Sequence, residues 1–148
     1  MKGLVTGAFG NIGRGTVEEL LERGHEVRCF DIRNRENEKL ALPLAGRAEI
    51  SWGNLCRLPD VESAVAGMEA VIHLAFVIPR ISATGVDCED QPDLACEVNV
   101  GGTRNLREAM KLQRVQKILF ASSLHVYGIT RDQPPPRRVT DPAKPMEN

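Results

Sequence analysis

The sequence predicts an α/β protein with a doubly wound parallel sheet. Short apolar runs typical of strands alternate with stretches of helical periodicity, and a glycine-rich turn joins the first run to the first helix. This alternation is typical of parallel strands joined by crossover helices. The strands are expected near residues 2–6, 26–31, 48–52, 70–74 and 117–122.

Three helices are expected between these strands. The first begins after the glycine-rich turn, carries Val17 and Leu21 on one apolar face, and ends at Arg23-Gly24. The other two begin at prolines, which suit the first turn of a helix. They run from Pro59 to about Ala66 and from Pro92 to about Leu112, the latter with Gly101-Gly102 inside it.

Composition is that of a single soluble domain. The chain has 148 residues, of which 42% are hydrophobic and 26% charged, and we see no apolar stretch long enough to cross a membrane. A net charge of −1 gives no electrostatic reason to expect a nucleic-acid partner. We therefore expect a protein without an export segment or a membrane partner. Four cysteines lack the spacing of metal ligands or of a redox pair, so we expect no bound metal and a cytoplasmic protein with reduced thiols: Cys29, Cys56, Cys88 and Cys96.

The glycine-rich turn has the pattern of a dinucleotide site. It reads Thr-Gly-Ala-Phe-Gly-Asn-Ile-Gly over residues 6–13. Gly7 permits a tight strand-to-helix turn, Gly10 lets backbone N–H groups approach a pyrophosphate, and Gly13 lets the helix lie close to the sheet. Asp31 ends the next strand, eighteen residues after Gly13, where a carboxylate accepts hydrogen bonds from ribose hydroxyls.

Two alternatives to a dinucleotide site are weaker. A P-loop requires Lys and then Ser or Thr after its last glycine, whereas Gly13 is followed by Arg14-Gly15. A glycine-rich turn in an unrelated α/β protein, with Asp31 merely capping a helix, does not account for three glycines in register with a strand-helix-strand unit. The sequence therefore favours dinucleotide binding.

Further segments extend the pattern along the chain. They are Val-Ile-His-Leu-Ala at 71–75, Asn-Val-Gly-Gly-Thr at 99–103, and Ser-Ser-Leu-His-Val-Tyr-Gly at 122–128. Together with the glycine loop they resemble the extended short-chain dehydrogenase/reductase superfamily, specifically its NAD-dependent epimerase/dehydratase family. The resemblance runs from Lys2 to about Gly128. It implies a Rossmann-type sheet of about five strands in the order 3-2-1-4-5, a nucleotide-binding domain at 1–128, and a proline-rich tail at 129–148.

The resemblance implies a cofactor site along the carboxyl edge of this sheet. Backbone at Asn11 and Ile12 would meet the pyrophosphate, and Asp31 would meet the adenosine ribose. The acid favours NAD over NADP, because it repels a 2′-phosphate, while nearby arginines leave NADP as the alternative. The implied cofactor-binding residues are Gly7, Phe9, Gly10, Asn11, Ile12, Asp31, Ile32, Arg33, Asn54, Leu55, Leu74, Ala75, Phe76, Asn99 and Ala121.

Some of these positions also have an ordinary structural interpretation. Asn54 stands where the family usually carries an aspartate that accepts a bond from the adenine amino group; asparagine keeps a carbonyl acceptor without the charge. Leu74 is equally compatible with a core residue. Asn99 matches an asparagine that braces the nicotinamide side, and its alternative role is a satisfied polar group inside a helix.

Catalytic residues are implied near the end of the fifth strand. Ser123 matches the family's catalytic serine or threonine, which bonds the substrate oxygen that undergoes redox. His125 either projects into the substrate pocket or is a loop histidine. His73 is expected to be a hydrogen-bonded structural histidine, and Tyr127 belongs to the Val-Tyr-Gly element rather than to the catalytic pair.

The family's Tyr-x-x-x-Lys pair does not occur among the 148 residues. Residues 141–148 resemble the approach to the helix that carries it, so we expect a truncated protein that is inactive alone and lacks the substrate domain. One hypothesis is the NAD(H)-binding part of a nucleotide-sugar epimerase, dehydratase or related dehydrogenase. The alternative is a noncatalytic dinucleotide sensor or scaffold. Exposed apolar surface on the helix at 92–112 and on the fifth strand further predicts a homo-oligomer.

Overall fold

A computed structural model describes residues 1–78, 91–128 and 138–143, apart from the side chains of residues 124 and 125. Its centre is a five-stranded parallel sheet in the order β3-β2-β1-β4-β5, which confirms the predicted class and order. The strands are β1 (Lys2–Thr6), β2 (Glu26–Asp31), β3 (Glu49–Trp52), β4 (Ala70–His73) and β5 (Lys117–Phe120). Each begins and ends within two residues of its expected position.

Helices connect the strands on both faces of the sheet. They are α1 (Asn11–Glu22), α2 (Arg35–Ala41) with a 3-10 turn at Leu42–Leu44, α3 (Leu58–Val65), α4 (Pro92–Cys96), a π-helical segment (Glu97–Gly102), α5 (Thr103–Leu112) and a 3-10 turn at Leu124–Tyr127. The helix expected at 92–112 is therefore α4, the π-helical segment and α5 in succession. Helix α2 was not predicted from the sequence.

The core consists of two apolar clusters, one on each face of the sheet. Alternating strand residues face opposite sides, so Leu4 packs with the α3 and α5 residues while Val5 packs with Val17 of α1. Phe30 and Cys29 of β2 divide between the clusters in the same way. This double-sided burial is typical of parallel sheets and requires helices on both faces.

Close contact between α1 and the glycine loop depends on the absence of a side chain at Gly13. A Cβ atom there would lie 2.0 Å from the carbonyl oxygen of Gly7 and 2.8 Å from the carbonyl carbon of Ala8. Both are backbone atoms, which do not move aside as a flexible side chain would. By contrast, a Cβ atom at Gly15, two residues along the same helix, would meet nothing within 4 Å.

The outer strand β5 is open to solvent. Among the described residues it pairs with β4 alone, and its apolar side chains remain exposed: Ile118 (48%), Leu119 (57%) and Phe120 (46%). An exposed apolar edge strand is a surface that pairs readily with another chain. In the described part of the chain, no helix has the length and apolar character to cross a membrane.

Most of the predicted proline-rich tail lies outside the described residues, as do residues 79–90. The described part of the tail, 138–143, contains a turn in which Asp141 N–H donates to the Arg138 carbonyl (3.0 Å) and the Asp141 carboxylate accepts from Arg138 N–H (2.9 Å).

Replacing Gly13 and Gly15 separately with alanine should change stability in opposite directions. Gly13→Ala forces Cβ into backbone, and overpacking of this kind costs about 1–3 kcal/mol of unfolding free energy. Gly15→Ala adds a methyl group in open space and removes a glycine from a helix, which should stabilise by about 0.5–1 kcal/mol. Urea unfolding of the two variants measures both changes. Equal destabilisation would mean that α1 does not need the close approach at Gly13.

Candidate dinucleotide site at the carboxyl edge of the sheet

The carboxyl ends of β1, β2, β3 and β4 meet at one edge of the sheet. Along the sheet, β2 and β3 lie on one side of β1, and β4 and β5 lie on the other. The chain therefore leaves β1 and β4, which are paired with Thr6 opposite His73, at the point where the strand order reverses. Ligands of open α/β sheets bind in the crevice at such a switch point.

The glycine loop closes tightly over the end of β1. Gly7 has φ of +66°, and a Cβ atom there would lie 2.8 Å from the Ala75 backbone, so both conformation and space require glycine. Its N–H donates to the Phe30 carbonyl (3.0 Å), and Gly10 N–H donates to the Gly7 carbonyl (3.1 Å). These bonds join the loop to β2 and fix its path.

The N-terminus of α1 is open toward this edge. Gly10 is the N-cap and no side chain caps the helix, while Asn11 and Ile12 are exposed. A Cβ atom at Gly10 would meet the Gly7 carbonyl oxygen at 3.3 Å and no other described atom within 4 Å. Unpaired first-turn amides and the positive end of the helix dipole make this end of α1 suited to an anionic diphosphate. The loop therefore fits a dinucleotide.

Phe9 contributes its backbone to the site and its side chain to the core. The ring is 1% exposed and packs against Trp52, with ring centroids 5.2 Å apart. Its N–H donates to Asp31 Oδ2 (3.0 Å). The core contact thus holds the peptide group that orients the Asp31 carboxylate.

Asp31 is held at both oxygens. Oδ1 accepts from its neighbour's N–H, that of Ile32 (2.9 Å), while Oδ2 accepts from Phe9. Burial raises the pKa of the Asp31 carboxyl, and the two backbone bonds partly offset that rise. Each ionised oxygen has two lone pairs, so each keeps an acceptor position for a ribose hydroxyl.

Helix α2 fixes the segment that follows Asp31. Asn34 caps the helix, its Oδ1 accepting from Asn37 N–H (2.8 Å), and the buried Asn37 side chain donates to the Ile32 carbonyl (2.8 Å). Beside them, Arg33 Nε lies 2.7 Å from Glu38 Oε1, both side chains being exposed. The short segment between β2 and α2 is thus held at both ends.

In the segment after β3, Asn54 is exposed whereas Leu55 is buried. Asn54 Oδ1 accepts from Cys56 N–H (2.9 Å), forming a local turn, and Asn54 N–H donates to Asp60 Oδ2 (3.0 Å). Leu55 is 5% exposed and belongs to the core, where it would meet any Cβ at Gly102 at 2.8 Å. Asn54 is therefore exposed to solvent, with its side-chain oxygen already accepting one hydrogen bond. The Leu55 side chain is buried, so only its backbone could contact a cofactor.

A buried histidine joins β1, β4 and α5. His73 Nδ1 lies 2.7 Å from Thr6 Oγ1, and Nε2 lies 3.0 Å from Thr103 Oγ1. Because the Thr103 hydroxyl donates to the Asn99 carbonyl (2.5 Å), it must accept from Nε2–H, which assigns the proton to Nε2. Nδ1 then accepts from Thr6, whose oxygen accepts the N–H groups of Leu74 (3.2 Å) and Ala75 (3.3 Å).

The segment at 74–77, which follows β4, is also held by the π-helical segment. Asn99 Oδ1 accepts from Val77 N–H (2.8 Å), and its Nδ2 donates to the Val77 carbonyl (2.9 Å). Leu74 is half-buried against the α1-side core, and the Phe76 ring lies 5.2 Å from the His73 ring. Both polar atoms of the Asn99 amide thus bond to the Val77 backbone. They hold the segment that the sequence predicts to line the cofactor.

Ala121 and Ser123 follow β5 at the same edge. Ala121 N–H donates to the His73 carbonyl (3.3 Å), and the Ser123 carbonyl accepts from Val126 N–H (3.1 Å) at the start of the 3-10 turn. Both residues are exposed. The His125 side chain lies outside the described part of the chain, so its predicted role stays a prediction.

Three residues that hold this edge were not predicted from the sequence: Thr6, Thr103 and Asn37. Local signals existed for two of them: Thr6 directly precedes the glycine loop, and Thr103 lies four residues after Asn99, the spacing of one helical turn. Asn37 carried no such signal, because α2 itself was not predicted.

The His73 arrangement predicts a specific pH dependence of stability. Burial lowers the pKa of His73 from 6.5 to about 4, so the unfolded chain binds more protons between these values. Unfolding free energy should therefore decrease by about 3 kcal/mol from this group as pH falls from 6.5 to 4. NMR titration of the imidazole and urea unfolding at a series of pH values check this; an imidazole midpoint near 6.5 in the folded protein would contradict it.

The comparisons with known proteins agree with this architecture. The sequence matches the model of the NAD dependent epimerase/dehydratase family over residues 3–148. It is 35% identical over 122 residues to a 3-beta-hydroxysteroid dehydrogenase of Mycolicibacterium neoaurum, covering 81% of this chain and 31% of that protein. It is 37% identical over 135 residues to UDP-glucose 4-epimerase 3 of Oryza sativa subsp. japonica, covering 84% and 35%.

Solved structures give the same result at the level of the fold. A short-chain dehydrogenase/reductase superfamily protein from Agrobacterium tumefaciens with bound NAD has a TM-score of 0.77 and 30% identity, covering 99% of this chain and 40% of that one. UDP-glucose-4-epimerase from Stenotrophomonas maltophila, also with bound NAD, has a TM-score of 0.80 and 25% identity, covering 99% and 43%. The chain thus spans less than half of each relative, and it belongs to the NAD dependent epimerase/dehydratase family, of which it forms an NAD-binding Rossmann-type domain.

Proposed function

We propose that this chain supplies the NAD-binding part of an enzyme that oxidises or reduces a secondary alcohol, as an epimerase, dehydratase or dehydrogenase. One observation carries the proposal: the Asp31 carboxylate is fixed by backbone N–H groups beside an open helix N-terminus. A diphosphate and an adjacent ribose need these two features side by side. When bound, NAD supplies a nicotinamide ring that exchanges a hydride with substrate.

Each part of the proposed site uses a different group of this chain. Backbone N–H groups at Asn11 and Ile12 bind the diphosphate, and the free lone pairs of Asp31 accept from the ribose hydroxyls. The same charge repels a 2′-phosphate, which favours NAD over NADP. Asn54 Oδ1 accepts from the adenine amino group with its second lone pair, a weaker bond than a carboxylate would make.

On the nicotinamide side, we propose that residues 74–76 and Ala121 line the ring and that Asn99 acts through the Val77 backbone. Ser123 donates a hydrogen bond to the substrate oxygen that undergoes redox. The single tyrosine of the sequence, Tyr127, is followed four positions later by Arg131, so the 148 residues contain no Tyr-x-x-x-Lys pair to act as general base. We therefore assign Ser123 only the hydrogen bond to the substrate oxygen, and not the abstraction of a proton.

The substrate class proposed is a ring that carries a secondary hydroxyl. The names of the relatives mention a 3-beta-hydroxysteroid and UDP-glucose, and both molecules carry such a group. A nucleotide sugar is the substrate that the sequence resemblance favours. The relatives with steroid and sterol names make a hydroxysteroid the second candidate.

Calorimetric titration tests the cofactor proposal. The chain should bind NADH more tightly than NADPH, because Asp31 accepts from a 2′-hydroxyl and repels a 2′-phosphate. Gly10→Val should lose NADH binding, because the side chain would occupy the proposed diphosphate position, and should still fold, because a Cβ atom there meets, among the described residues, only the Gly7 carbonyl oxygen, at 3.3 Å. Gly15→Val, on the same helix, is the matched control and should bind normally. Loss of NADH binding in both variants, or equal binding of NADPH by the wild type, would contradict the proposal.

We also infer that the exposed β5 edge drives self-association. Apolar surface of this kind is uncommon on soluble monomers. Light scattering should show particles larger than 16.3 kDa at micromolar concentration. Leu119→Lys, which places a charge on the edge strand, should shift the particles toward monomer. Leu42→Lys changes a leucine that is even more exposed (71% against 57%) in the 3-10 turn after α2, away from β5 in the chain, and should leave assembly unchanged. A wild-type chain that remains monomeric on concentration would rule the inference out.

A further inference from the structure

Arg33 occupies a position that would ordinarily favour NADP. It lies two residues beyond Asp31, in the segment that leads from β2 to α2. A guanidinium near the end of this strand accommodates a 2′-phosphate, because its planar donors match two phosphate oxygens at once. From its position alone, Arg33 opposes the selectivity that Asp31 confers.

In the structure, however, Arg33 already has an anionic partner. Its Nε lies 2.7 Å from Glu38 Oε1, and the two side chains are 69% and 46% exposed. Glu38 stands in the first turns of α2, which Asn34 caps and which Asn37 ties to the Ile32 carbonyl. The backbone on both sides of the ion pair is therefore fixed, so the two charged groups stay within reach of each other.

The surrounding charges add to this effect. Between Asp31 and Glu38 the sequence contains three carboxylates and two guanidinium groups. The negative charge of Glu38 offsets much of the positive charge of Arg33, so the paired Arg33 attracts a 2′-phosphate less strongly. An incoming phosphate has to replace the Glu38 carboxylate as the partner of Arg33 and remain near its negative charge.

We propose that Glu38 is a cofactor-selectivity residue: it withholds Arg33 from the 2′-phosphate of NADP and so reinforces the preference that Asp31 sets. The inference rests on the proposed NAD binding of this chain. It assigns to α2, a helix outside the glycine loop and the catalytic segments, a role in distinguishing two cofactors. NADH carries no 2′-phosphate, so its affinity does not depend on the state of Arg33.

The size of the effect follows from the exposure of the ion pair. Exposed pairs of this kind change an equilibrium by about two- to fivefold. Removing the Glu38 charge also relieves its repulsion of the phosphate, so Glu38→Gln should tighten NADPH binding about fivefold. NADH binding should stay within about twofold of the wild type on the same reasoning.

The experiment is calorimetric titration of NADH and NADPH into the intact chain and four variants. Glu38→Gln releases Arg33. Arg33→Ala combined with Glu38→Gln removes the released guanidinium and should abolish the gain in NADPH affinity. Glu36→Gln removes the same charge from the same helix without breaking the ion pair, and should give a smaller gain. Glu19→Gln breaks a similar exposed pair with Arg23 at the far end of α1 (2.6 Å) and should change neither affinity.

Three results would overturn the inference: unchanged NADPH affinity in Glu38→Gln, an equal gain in Glu36→Gln, or a gain that persists in the double variant. The second result would assign the effect to the general field rather than to Arg33. Failure of the inference differs from failure of the proposed function, because in the former case the wild type still binds NADH. If the wild type binds neither nucleotide, the proposed function itself is wrong.

Discussion

The site depends on one backbone contact, the approach of α1 at Gly13 to the carbonyl of Gly7. At 2.0 Å from that oxygen there is no room for a Cβ atom, so the helix can lie this close to the loop only with glycine at position 13. The approach aims the uncapped end of α1 along the carboxyl edge. Gly7 makes a second such contact, with the backbone of Ala75, which brings the end of β4 to the same place. The lack of a side chain at Gly7 and Gly13 thus allows β1, α1 and the segment after β4 to approach one another.

Around this contact, backbone groups rather than side chains do most of the positioning. Asp31 is oriented by two peptide N–H groups, and Asn99 holds both polar atoms of the Val77 peptide unit. His73 is the exception, because two threonine side-chain hydroxyls fix it as the neutral Nε2–H tautomer. Because the fold of the sheet and its connections sets the positions of these backbone groups, it also sets the orientations of the Asp31 and Asn99 side chains.

The features that could be predicted from the sequence are those with a local signal. The glycine spacing, the acid at the end of β2 and the alternating apolar pattern are short-range features, and the sheet order and family they imply are confirmed. Helix α2 was missed, because its seven residues are mostly polar and it depends on bonds made by two asparagines. The partners of His73 were also missed, since Thr6 and Thr103 lie 67 and 30 residues away and carry no pattern that joins them to it.

The sequence predicts that residues 74–76 form a wall on the cofactor side, and the two Asn99 bonds to Val77 hold the backbone at the end of this wall rather than its side chains. Since both amide bonds go to main-chain atoms, they place no requirement on the side chains of the segment after β4. Mutation can therefore alter the surface of this wall without loosening its frame. A scaffold organised in this way can diversify by exchanging individual wall residues while its architecture stays constant, which makes this segment a natural place for new specificities to arise.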